Sequence, residues 1–75
     1  MKELKKEMKA RAKLLRGLAN VLQLDADYIW SDANHFDLIC LNESVKEAKM
    51  TLQQAVDCMT ELEYHLYLIA REESL

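Results

Sequence analysis

Ten consecutive heptad a and d positions between residues 38 and 69 are apolar: Leu38, Leu41, Val45, Ala48, Leu52, Ala55, Met59, Leu62, Leu66 and Ile69. A 3–4 alternation held over four heptads selects a helix over a strand and lays one apolar seam along it. Such a seam must be covered by another helix. It predicts a single helix from about Ala33 to Glu72, roughly 60 Å long at the α-helical rise.

A second, shorter pattern precedes it. Met1, Met8, Leu15 and Leu22 recur every seventh position, with Leu4 and Leu18 between them and Ala12 and Ala19 flanking the stripe. This predicts an amphipathic helix over 2–23. Arg11 occupies one inward position, where its stem can follow the apolar face with the guanidinium outside. Gly17 lies within the pattern and either admits a close helix approach or is tolerated at a cost of about 1 kcal/mol.

Between the two patterns, residues 24–32 carry Asp25, Asp27, Ser31 and Asp32, all helix-capping types, and a turn is expected there. Ser44 and Glu47 form a capping box that offers a competing helix start at 45, but the heptad phase runs unbroken through it, which favours one helix. The alternative is a compact three-helix bundle with breaks near 24–32 and 42–44. A β-hairpin over 27–41 is a third option, weakened by the lack of an Asn-Gly type turn. The chain has no Pro and one Gly, so few turns are available and a sheet-rich fold is excluded.

Charge predicts how the helices meet. Residues 1–16 carry seven basic and two acidic groups; residues 17–75 carry three basic and eleven acidic groups. An antiparallel hairpin lays the basic end beside Asp57, Glu61 and Glu63, each exposed pair adding a few tenths of a kcal/mol. The expected lengths are unequal, about 33 Å against about 60 Å. That mismatch leaves Leu62, Leu66, Tyr67 and Ile69 overhanging and calls for a second chain. The reading is a single all-α domain over 1–75, an antiparallel helical hairpin with a long C-terminal coiled-coil helix, paired as a homodimer into a four-helix bundle. Leu52, Met59, Leu62, Leu66 and Ile69 are the expected self-association residues.

Cys40 and Cys58 are too far apart to bridge within one helix, about 27 Å, and read as buried free thiols in a reducing compartment. No apolar run reaches the length of a membrane span, and no signal-peptide pattern follows the basic N-terminus, so a cytoplasmic protein away from membranes is expected.

No motif carries catalysis. Cys58, Glu61 and His65 share a helix flank, but without a Glu-x-x-His pair the stripe reads as a polar edge of the seam, with no metal or cofactor. His35 beside Asp32, Asp37 and Cys40 has the residue types of a nucleophilic cluster but not a pocket to orient them. Tyr28, Trp30 and Phe36 gather at the turn, where packing over the bundle end would account for Trp30 or Phe36. Tyr64 and Tyr67 lie off the seam, where such aromatics favour interfaces. The function expected is a non-enzymatic protein–protein interaction module, an adaptor, regulator or inhibitor. It would meet a protein partner with a basic surface through Asp57, Glu61, Glu63, Tyr64 and Tyr67. The alternative is a nucleic-acid-binding regulator that neutralises phosphates with Lys2, Lys5, Lys6, Lys9, Lys13 and Arg16.

Overall fold

The computed structural model describes residues 2–73 and consists of two helices, α1 (Lys2–Asn34) and α2 (Leu38–Glu73), folded back on each other as an antiparallel hairpin. Met1, the first residue of the expected a-position series, lies outside the described residues. Among the described residues there is no strand, so the β-hairpin option fails; so does the three-helix bundle.

The turn falls later than the capping residues suggest. Residues 24–32 continue α1, because the heptad phase of Leu15, Leu18 and Leu22 passes through Asp25, Ile29 and Asp32 without a reset. These residues stay on the inward face, where Leu18 and Asp25 are buried and the others half-buried. A helix that buries this face outweighs the local turn preference of aspartate.

The chain reverses over 35–37. Phe36 takes a left-handed backbone conformation (φ 57°). The Asp37 N–H donates to the Asp32 carbonyl (3.0 Å) and the Phe36 N–H to the Ala33 carbonyl (3.2 Å). This 6→1 and 5→2 pair is a Schellman closure, with phenylalanine where glycine is usual. Asp37 then caps α2: its Oδ1 accepts the Cys40 N–H at 3.1 Å and its carbonyl accepts the Leu41 N–H.

Helix α2 runs unbroken past Ser44, as the heptad phase predicts. Ser44 does not cap; its hydroxyl donates across the hairpin to Asp32 Oδ2 at 2.7 Å. One heptad along, the Thr51 hydroxyl donates to buried Asp25 Oδ2 at 3.0 Å. Two carboxylate–hydroxyl bonds seven residues apart on each helix fix the antiparallel register. The apolar core is short: Leu18, Ala55 and Cys58 are buried, with Leu15 packed against them. Near the open end, Arg11 pairs with Glu61, and His65 Nε2 lies 3.4 Å from Glu7. The basic start of α1 does meet the acidic end of α2.

The helices are 33 and 36 residues long, so the expected overhang does not exist. Leu62 and Ile69 are half-buried in the hairpin, while Leu66 and Tyr67 are exposed. A Cβ at Gly17 would meet nothing within 4 Å, so this glycine serves no close approach.

Candidate interaction surface

The predicted seam of α2 is rotated by half its width. Leu41, Ala48, Ala55, Leu62 and Ile69 turn toward α1, and the rest of the inward face is Ser44, Thr51, Cys58 and His65, with Leu68 half-buried at its edge. The other half of the predicted seam points outward. Leu38, Val45, Leu52, Met59 and Leu66 are exposed, with fractional exposures between 39% at Val45 and 63% at Leu38. One helix offers two neighbouring apolar rows, and a single partner helix covers only one of them.

Two grooves flank the seam and differ in chemistry. One brings Tyr28 beside Cys40 and Glu47, Val21 beside Glu47 and Gln54, and Glu7 beside Glu61. It joins an edge of α1 that is apolar from Leu14 to Tyr28 to a largely acidic edge of α2. The opposite flanks of both helices line the second groove. There α1 contributes Ala12, Ala19, Ala26 and Ala33, one every seven residues and all exposed, and α2 contributes the outward row from Leu38 to Leu66. This alanine groove is apolar from the turn to the level of Leu66.

The expected site residues fall in several places. Leu52, Met59 and Leu66 line the alanine groove, whereas Leu62 and Ile69 belong to the hairpin's interior. Asp57, Glu61 and Tyr64 form one stripe at 4–3 spacing, beside the acidic groove. Glu63 and Tyr67 lie further round α2, and Tyr67 is exposed. Glu61 is already engaged by Arg11. Lys2, Lys6, Lys9, Lys13 and Arg16 form an exposed outer ridge on α1 at 4–3–4–3 spacing, with Lys5 beside it. The alanine row was not legible as a surface, although its seven-residue recurrence is in the sequence; only Ala12 and Ala19 stood out, as flanks of the first stripe.

The turn end exposes Trp30, Phe36 and Ile39, by 73–81%, so neither Trp30 nor Phe36 packs over the bundle end. Cys58 is buried and Cys40 is exposed, which corrects the expectation that both thiols are buried. The hydrogen bond from the Cys40 N–H holds the Asp37 carboxyl below its usual range. The Cys40 thiol's own hydrogen bond to that carboxylate pushes the thiol up. The His35 ring nitrogen Nδ1 is 2.8 Å from the Ser31 carbonyl, so this side chain closes the end of α1 instead of facing Cys40. Among the described residues no three His, Cys, Asp or Glu side chains converge as metal ligands, and no helix is long and apolar enough to cross a membrane.

No protein-family model, no curated protein and no solved structure matches the chain.

Proposed function

We propose that this chain is a non-enzymatic protein–protein interaction module of the adaptor or inhibitor kind, which works as a homodimer of hairpins closed through the alanine groove. The observation that carries the reading is how much surface one hairpin leaves open. Its accessible surface is 6351 Å², against roughly 4,700 Å² for a compact monomer of this mass. Its radius of gyration is 17.1 Å, against about 11 Å for a compact domain of this length. No side chain is fully buried among the described residues. An apolar strip of this length marks an interface.

In such a dimer the acidic groove and the Asp57–Tyr64 stripe remain outside. They suit a partner surface that is basic with apolar contacts, because complementary charge speeds encounter and rejects wrong partners. The exposed lysine ridge supports a second reading, contact with a nucleic-acid backbone; affinity that falls steeply as salt rises in a gel-shift titration would favour it.

Self-association links stability to concentration. The melting temperature should rise by several degrees over a hundredfold increase in protein. Leu52→Glu should abolish that rise, and the protein should melt at the temperature of its most dilute sample. A melting temperature independent of concentration in the unaltered protein contradicts the reading.

A further inference from the structure

We infer that the second copy seats with its large apolar row over the alanine row, the two hairpins related by a dyad along their common long axis. This rests on the self-association proposed above and adds its geometry and the residues that specify it.

The register within one hairpin supplies the levels. Ala26 follows Asp25 and Leu52 follows Thr51, and those two residues are hydrogen-bonded across the seam. Ala33 and Val45 follow Asp32 and Ser44, which are bonded likewise. Each alanine therefore stands beside a large residue, offset by only about 3 Å along the axis at the α-helical rise. The heptad repeat extends the series to Ala19 with Met59 and Ala12 with Leu66.

Two alignments close such a face with two-fold symmetry. With the dyad along the axis, α1 of one copy covers α2 of the other. Every layer then alternates small and large residues around the bundle. With the dyad across the axis, like helices face each other, alanine on alanine and leucine on leucine. Helix separation follows side-chain size, so the second alignment pulls one pair of helices together, props the other apart and leaves a wedge. Alternating large and small residues across facing positions lets the layers interdigitate.

Charge agrees with the first alignment, in which the basic start of α1 covers the acidic end of α2, including Glu63. In the second, Asp25 and Asp32 are turned into their own hairpin by Thr51 and Ser44 and offer that basic end no partner. The hairpin is 58 Å long, and the two facing rows run together along it from the turn to the level of Leu66, so a second copy in this alignment meets five large residues and four alanines on each face.

The test uses two full-length proteins, Ala19→Cys and Met59→Cys, each also carrying Cys40→Ser. They are mixed, equilibrated in a glutathione buffer and mapped by mass spectrometry. The 19–59 disulfide between chains should exceed the 19–19 and 59–59 products together at least fivefold. Dominant 19–19 or 59–59 products overturn the alignment while leaving the dimer intact. A mixture that sediments as monomer overturns the self-association beneath it. Independently, Ala26→Leu should raise the dimer dissociation constant at least tenfold, whereas an unchanged constant contradicts the seating of a large residue on that alanine.

Discussion

At the residue scale, the turn contains a choice that works against stability. A left-handed conformation costs a residue with a Cβ roughly 1–2 kcal/mol, and Phe36 accepts it while exposing its ring. Phe36→Gly should relieve that strain, partly offset by the greater freedom of glycine in the unfolded chain. A net gain of about 0.5–1 kcal/mol is expected in urea denaturation. A loss would mean that the ring makes a stabilising contact. Trp30 and Ile39 are exposed on the same end. Cys40 carries a second prediction. Its thiol is held protonated by Asp37, so less thiolate is present at pH 7–8 than in an ordinary cysteine. Alkylation should therefore be slow at that pH and should quicken at higher pH than for a free thiol. Asp37→Asn should accelerate it severalfold at pH 7.5; an unchanged rate would show that the carboxylate does not control the thiol. The carboxyl of Asp37, held low in the folded state, adds stability above its unfolded value, and this is lost as pH falls through the lower folded value.

At the scale of elements, the hairpin is set by polar residues on an apolar plan. Asp25 is buried, and the Thr51 hydroxyl is its partner across the seam. Thr51→Val keeps the shape and removes the donor, which should cost about 1–3 kcal/mol by chemical denaturation, since a buried carboxyl oxygen loses its partner. A cost below 0.5 kcal/mol, taken as roughly the threshold of a surface change, would show that water replaces the hydroxyl. The same residues explain what the sequence allowed to be read. Helix α2 was legible because its a and d positions are all apolar, so its phase survives the capping box at Ser44. The end of α1 was not. Asp25 and Asp32 look like caps in isolation, and only their hydroxyl partners, 26 and 12 residues away, make them interior. The surface was half legible for a related reason. A heptad pattern identifies an apolar stripe but not which edge of it the partner helix covers. The rotation toward Thr51 and Ser44, set by those same bonds, exposed Val45, Leu52, Met59 and Leu66. Helix α1 has Lys2 and Lys5 beside Glu3 in its first turn and Asp32 with no basic residue in its last, a net charge pattern that opposes its dipole. Contact between the basic start of α1 and the acidic end of α2, as in Arg11–Glu61, offsets that cost.

At the scale of the whole molecule, the hairpin is matched in length but open in width. The expected length mismatch is absent, since the two helices nearly match. The proposed second chain rests on width: two helices cover one apolar row of α2 and leave the next exposed, beside a row of exposed alanines. Sedimentation equilibrium over micromolar concentrations measures this directly. A dimer of hairpins gives a mass of about 17 kDa, twice the 8.7 kDa of one chain, shifting to 8.7 kDa in Leu52→Glu with helicity retained. A helical, unaltered protein that stays at 8.7 kDa across that range would contradict it.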